Sequence, residues 1–290
     1  MKIEGLMEII DAARGKKPSG ILLKGGNIIN VFTGEVVSGD VAISGGFIVG
    51  VGRAFKYDAE RVIDVSEKYI APGFIDSHIH IESSMVTPSE FARAVIPRGT
   101  TTVIADPHEI ANVLGSRGIR LMHEDAKMSP LDVRFVLPSC VPATDMETSG
   151  AKLTSKKLKS LIGEDWILGL GEVMNFPGVL SKDRGVLEKI LMARNANKII
   201  DGHAPMLSGL DLSGYIAAGI SSDHESVSLA EAREKLEKGM FVMIREGSSA
   251  KNLEEILPLV NERNFLFMTF VADDIDPGDL IDVVGNKCHK

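Results

Sequence analysis

Cysteine is almost missing from this chain. Two stand in 290 residues, Cys140 and Cys288. They lie far apart and in no CxxC pattern, which excludes a disulfide framework and a zinc ribbon and fits the reducing cytoplasm. Long apolar runs are missing too. No stretch approaches the roughly 20 residues that span a bilayer, and the start Met1-Lys2-Ile3-Glu4-Gly5 has no apolar run followed by a small-residue cleavage site. Neither secretion nor membrane insertion is expected. Positive charge is in deficit, with 32 basic residues against 40 acidic and a formal charge of -8, so a polyanion is repelled on average and nucleic acid is not an expected partner. Aromatics make up only 5%, whereas 44% hydrophobic and 25% charged residues with 29 glycines and 12 prolines give the balance of a soluble globular protein. Disordered and fibrous architectures are excluded.

The first part of the chain reads differently from the rest. After a polar helix candidate around Glu4 to Arg14, short β-branched runs alternate with glycine and turn residues from Ile21 to Val65, as in Val41-Ala42-Ile43-Ser44-Gly45-Gly46. That predicts a small antiparallel sheet, a partial β-sandwich over residues 1–68. From Tyr69 onward strand-length apolar runs alternate with helical periodicity, which predicts repeated βα units over residues 69–290. Eight strands are expected: Ile70 to Ile75, Thr101 to Ala105, Val133 to Leu137, Ile167 to Leu170, Ile199 to Asp201, Gly219 to Ser222, Met240 to Ile244 and Phe265 to Ala272. The fold class is therefore α/β, a (β/α)8 TIM-type barrel whose last unit is cut short, with a doubly wound open sheet as the alternative.

In such a barrel functional groups project from the C-terminal ends of strands. The first strand runs into Asp76-Ser77-His78-Ile79-His80, where alternation points His78 and His80 the same way. Later ends supply Glu172, His203, Asp223-His224-Glu225 and Asp273-Asp274. Four histidines, one Glu and one Asp form a ligand set for two divalent ions that share a carboxylate and a hydroxide. Taken singly, each piece has a plainer reading. An isolated HxH is more often structural, Asp273 can cap a helix before Asp276-Pro277, Asp106 can cap the helix after Pro107, and His203 or His224 can be a hydrogen-bonded core histidine. Their joint position at successive strand ends favours the metal reading. His123 and His289 are expected to be structural, and Trp166 and Tyr215 to belong to the core.

Several segments carry a resemblance. Ala71-Pro72-Gly73-Phe74-Ile75-Asp76-Ser77-His78-Ile79-His80 resembles the opening strand of the amidohydrolase superfamily. Together with Ala105-Asp106-Pro107-His108-Glu109, Asp201-Gly202-His203-Ala204-Pro205, Ser222-Asp223-His224-Glu225 and Arg245-Glu246-Gly247-Ser248, it is similar to the adenine deaminases of bacteria and archaea, from about Gly20 to about Leu280. The resemblance implies hydrolysis of adenine to hypoxanthine and ammonia in purine salvage, on two divalent ions, Mn2+ or Fe2+ with Zn2+ as an alternative, in a homo-oligomer. It also implies that His78, His80, Glu172, His203, His224 and Asp273 hold the metals. Many superfamily members have a carboxylated lysine where Glu172 stands, and Glu172 agrees with the adenine deaminase pattern. Two features depart from that pattern. Ile275-Asp276-Pro277 stands where an Arg-His pair usually precedes Pro, and the tail Val283 to Lys290 replaces a longer C-terminal region.

The chemistry needs an activated water, a proton for a ring nitrogen and a proton for the departing ammonia. Asp273 is the expected proton relay, with Glu172 and His224 beside it as catalytic residues. Arg245, Glu246, Ser248, Asp106 and His108 are the expected substrate contacts, and Glu109 lies with them. Glu82 is expected to orient His78 or His80. Two rival readings remain: a cyclic amidohydrolase of the same superfamily, and a truncated inactive homologue that only binds metal or purine.

Overall fold

A tight glycine turn, Gly45-Gly46, helps to shape the first unit. The computed structural model describes residues 1–53, 57–144 and 146–282, and they divide into compact units at Pro72/Gly73. Cys288, His289 and the tail from Val283 lie outside the described residues. In the first unit a helix, Ile3–Ala13, precedes β1 (Ser19–Asn30), β2 (Glu35–Ser44), β3 (Phe47–Gly52), β4 (Ala59–Asp64) and β5 (Tyr69–Ile70). Gly45 and Gly46 have φ of 58° and 81°, the left-handed conformation that a two-residue hairpin needs. β1 with β2 and β2 with β3 are antiparallel accordingly. The sheet as a whole is mixed, correcting the antiparallel expectation, because β4 and β5 both pair parallel to the other edge of β1. Residue alternation carries no information on strand direction.

The second unit alternates strand and helix. Its strands are β6 (Phe74–His80), β7 (Thr100–Ala105), β8 (Asp132–Leu137), β9 (Ile167–Val173), β10 (Ile199–Gly202), β11 (Ser222–Asp223), β12 (Phe241–Arg245), β13 (Met268–Val271) and β14 (Asp273–Asp274). All pairings among them are parallel, in the orders β10-β9-β8-β7-β6-β14 and β11-β12-β13. The Ser221 amide donates to the Ile200 carbonyl at 3.0 Å, and β13 and β14 are separated only by Ala272. This is a curled parallel α/β sheet of the TIM type. β9 is buried along nearly its whole length, as expected of a parallel strand covered on both faces. Two glycines make its close neighbours possible. A Cβ on Gly169 would lie 2.2 Å from the Ile199 carbonyl oxygen, and one on Gly171 2.0 Å from Asp106 Oδ2.

The helices start where local side chains cap them. Asp183 accepts from the Val186 amide at 2.9 Å before Arg184–Asn195, and Ser228 accepts from the Glu231 amide at 3.3 Å before Leu229–Glu237. Phe91, Ile119, Leu137, Leu158 and Ile167 are fully buried in one apolar core. At roughly 1.5–3 kcal/mol for each such side chain, this core holds the strand ends in place. The first strand begins four residues later than expected, since Tyr69 and Ile70 belong to the other sheet. His78 and His80 consequently lie within β6 itself.

Candidate metal centre

The geometry begins with alternation along β6. His78 and His80, separated by one residue and almost fully buried, bring their Nε2 atoms to 3.1 Å of each other. Their other nitrogens are already committed. His78 Nδ1 is 3.0 Å from Asp201 Oδ2, and His80 Nδ1 is 2.8 Å from the Asp106 carbonyl oxygen. Both rings are thereby oriented with Nε2 toward the centre, the arrangement that ligating imidazoles need. Asp201 is itself fixed by the Gly202 amide at 2.8 Å and Ser222 Oγ at 2.6 Å. Glu82 does not do this work. Its Oε1 accepts from the Ile110 amide at 3.3 Å, so the orienting role expected of it falls to Asp201.

Glu172, near the end of β9, is the hub. Oε1 lies 3.4 Å from His80 Nε2 and 3.3 Å from His108 Nδ1, while Oε2 lies 2.6 Å from His203 Nδ1 and 3.3 Å from His224 Nε2. Burial alone would raise this carboxyl, but the imidazoles of His108, His203, His224 and His80 hold it well below the usual range. Asp273 closes the other side. Its Oδ1 is 3.4 Å from His78 Nε2 and 3.2 Å from His80 Nε2, and its Oδ2 accepts from Arg245 Nη1 at 2.6 Å. That geometry displaces the helix-cap reading of Asp273. Its φ of 61° is a conformation that a non-glycine residue holds only when its surroundings over-determine it.

The remaining expected residues divide. Asp106 and His108 stand beside Glu172 in one group of ligand-type atoms. Asp106 caps nothing: both its carboxylate oxygens are buried without a hydrogen-bond partner, and burial pushes the carboxyl up to about 6. Arg245 enters the site, where it also grips Glu225, with Nη2 3.2 Å from Oε2. Glu246 pairs with Lys251 at 3.6 Å, and Ser248 Oγ accepts from the Asp276 amide at 2.8 Å. The sequence reading named Glu225 without giving it a role, and it placed Tyr215 only in the core. The Tyr215 hydroxyl donates to the Val173 carbonyl at 2.7 Å and accepts from the His203 amide at 3.1 Å. His123 stacks on Trp166 with ring centroids 3.9 Å apart, away from the cluster as expected.

The donor set fits divalent cations. Three groups, His78 with His80 and Glu172, His78 with His224 and Asp273, and Glu172 with His203 and His224, each bring ligand-type atoms within 4.8 Å of one another. Nδ1 of the buried His224 lacks a hydrogen-bond partner, and its Nε2 faces Glu172 Oε2 at 3.3 Å. Imidazole nitrogens and carboxylate oxygens converging in this way are the ligands that first-row divalent ions take. Without a cation the same atoms gather protons. Burial disfavours charge on His78 and His108, yet Asp201 and Glu172 respectively raise them to about 10 and about 9.

Residues 69–270 match the Amidohydrolase family. The chain belongs to that family. An adenine deaminase from Clostridium acetobutylicum is 55% identical over 274 residues, covering 94% of this chain and 48% of that protein. Adenine deaminase 2 from Carboxydothermus hydrogenoformans is 49% identical over 276 residues, covering 95% and 48%. The amidohydrolase chain thus spans about half the length of the curated relatives it matches. Among solved structures, a beta-aspartyl dipeptidase from Fervidobacterium islandicum superimposes with a TM-score of 0.58 at 17% identity, over 89% of this chain and 73% of that one. At that identity the likeness concerns the fold alone.

Proposed function

We propose that this amidohydrolase hydrolyses adenine to hypoxanthine and ammonia in purine salvage, using two divalent ions, Mn2+ or Fe2+ with Zn2+ as an alternative. Glu172 carries the reading: one carboxylate meets four imidazoles while Asp273 faces His78 and His80 from the other side. The relatives named adenine deaminase supply the substrate. His78, His80, Glu172, His203, His224 and Asp273 hold the metals. When bound, the ions lower the pKa of a water enough to give a nucleophile at neutral pH. Attack falls on C6 of the purine, as in other hydrolytic base deaminations. Asp273 takes the proton of the attacking water and passes it to the leaving amino group. Arg245 anchors Asp273 for both events, and Asp201 and the Asp106 carbonyl keep His78 and His80 turned inward. Asp106, His108, Arg245, Glu246 and Ser248 contact the base, with Glu109 placed to serve a ring nitrogen. The catalytic roles fall to Asp273, Glu172 and His224.

The same reading takes the first unit as a partial β-sandwich domain and the second as a (β/α)8 barrel, with the boundary at Pro72/Gly73 and not after residue 68, since Tyr69–Ile70 pairs with β1. It further takes the working form as a cytoplasmic homo-oligomer acting on a free base and not on nucleic acid or at a membrane. No helix among the described residues is long and apolar enough to cross a membrane.

The test is a steady-state assay of the 290-residue chain reconstituted with Mn2+, following adenine conversion by ultraviolet absorbance, with His78→Ala and Asp273→Asn alongside. Turnover by the parent and its loss in both variants is expected. Uptake of two metal equivalents without turnover of adenine would overturn the deaminase reading and leave a metal-binding chain.

A further inference from the structure

Lys235 is the least expected charge in the molecule. It lies on the helix Leu229–Glu237, four residues after Glu231, a spacing that usually marks a solvated surface pair. Here it is fully buried. Its three ammonium protons have three acceptors: Asp223 Oδ2 at 2.7 Å, Glu231 Oε1 at 2.7 Å and the Ala204 carbonyl at 2.9 Å. Burying a lysine is costly unless it is paired and fully hydrogen-bonded, so the position of its acceptors tells what the charge fixes. Ala204 follows His203, and Asp223 precedes His224.

The acceptors are in turn tied to both segments. Asp223 Oδ1 accepts from the Ala204 amide at 2.8 Å, and Oδ2 accepts from the Glu225 amide at 3.1 Å and Ser226 Oγ at 3.0 Å. Glu231 accepts from the Met206 amide at 2.8 Å and the Val227 amide at 3.1 Å. The peptide after His203 is thus pinned at its N–H and its C=O, and the turn after His224 at three donors. The segment β6 that carries His78 and His80 lies outside this network: it is held by its sheet neighbours and by Asp76, whose Oδ1 accepts from the His78 and Ala272 amides at 3.2 Å each.

We infer that Lys235 is a positioning residue: through Asp223, Glu231 and Ala204 it sets His203 and His224 relative to each other for the cation they share with Glu172. This rests on the two-metal reading above. The group Glu172, His203 and His224 contains both histidines that the Lys235 network sets, the group His78, His224 and Asp273 contains one, and the group His78, His80 and Glu172 contains neither.

The experiment is a titration of the chelated 290-residue chain with Co2+, read by visible absorption and by competition with a chelator of known affinity. Lys235→Met leaves two buried carboxylates uncompensated and can fail to fold, so the decisive variant is Lys235→Met with Glu231→Gln. There Asp223 keeps the Ala204 amide, the Glu225 amide and Ser226 Oγ as donors. Ile119→Ala, in the core helix Ser116–Ala126, which carries none of the network, controls for general loss of stability. In the double variant one Co2+ equivalent should bind as in the parent and the other about 10- to 100-fold more weakly, with Ile119→Ala leaving the two affinities in their parental ratio. Parental binding of both equivalents by the double variant, or equal weakening of both, overturns the positioning role while the two-metal reading stands. A parent chain that takes up fewer than two equivalents overturns the two-metal reading, and this inference with it.

Discussion

The sharpest stability prediction concerns the single hydroxyl of Tyr215. The ring is fully buried, on the helix Gly209–Ala217, and burial pushes the phenol well above its ordinary value, so at neutral pH it is a hydrogen-bond donor. It gives that proton to the Val173 carbonyl at 2.7 Å and accepts from the His203 amide at 3.1 Å. Tyr215→Phe keeps the packed ring and deletes only the oxygen. The Val173 carbonyl and the part-buried His203 amide then lose this partner, and at about 1–3 kcal/mol for each unsatisfied group the expected cost is about 2–6 kcal/mol. That is a large share of the roughly 5–15 kcal/mol by which domains are stable. Urea unfolding followed by the fluorescence of Trp166, the only tryptophan, should show a lower midpoint at unchanged slope. A loss under about 0.5 kcal/mol, the range of surface substitutions, would refute the reasoning and show that water or a backbone shift satisfies both groups.

Four further outcomes follow from the site. Asp201→Asn keeps the contacts to Gly202 and Ser222 but presents an amide to His78, and it should weaken metal binding about 10- to 100-fold in chelator competition without loss of the folded state. Gly169→Ala and Gly171→Ala should differ in kind. The first meets the Ile199 backbone at 2.2 Å and should destabilise the whole second unit in thermal unfolding, whereas the second meets the Asp106 side chain at 2.0 Å and should lose metal more than stability. The chelated chain should become less stable as pH rises from 6.5 to 9.5. His78 and His108 are raised to about 10 and about 9, so the stability they contribute is full below the unfolded histidine value and is lost as pH climbs through the folded ones. The lowered carboxyls of Glu172 and Asp273 stay ionised across that window, and a urea midpoint that holds or rises would contradict the assignment. Finally, Asp273→Asn should fold like the parent because Asn tolerates the left-handed φ of 61°, whereas Asp273→Ala should lose about 1 kcal/mol more in backbone strain. Equal unfolding midpoints for the two would remove that explanation of the residue choice.

Much of the centre was legible because two periodicities coincide. Alternation along a strand is a local rule, and it placed His78 and His80 together before any fold was known. The βα alternation is a regional rule, and it brought Glu172, His203, His224 and Asp273 to neighbouring strand ends. Where local pattern was ambiguous the reading slipped. Tyr69-Ile70 is apolar and strand-like, but it pairs with β1 in the first sheet. The helix Gly209–Ala217 was not anticipated, since Gly209 and Gly214 interrupt its pattern.

The supporting residues could not be read in the same way, because their partners are set by which strands become neighbours. Glu82 stands two residues after His80 and looks like its orienter, yet His78 turns to Asp201, 123 positions on, because β10 delivers that carboxylate to the centre. Arg245 is an expected base contact, and its tie to Glu225 and Asp273 from the flanking strand ends has no local signal in the sequence. Lys235 is the extreme case. Its sequence context, Glu231 one helical turn earlier and charges on both sides, describes a surface helix, and only the packing of that helix against the segments after β10 and β11 makes the ammonium a buried tie between the loops that carry His203 and His224. Ligands reveal themselves by type and spacing, whereas the residues that aim them are defined by contacts that close only when the sheet curls.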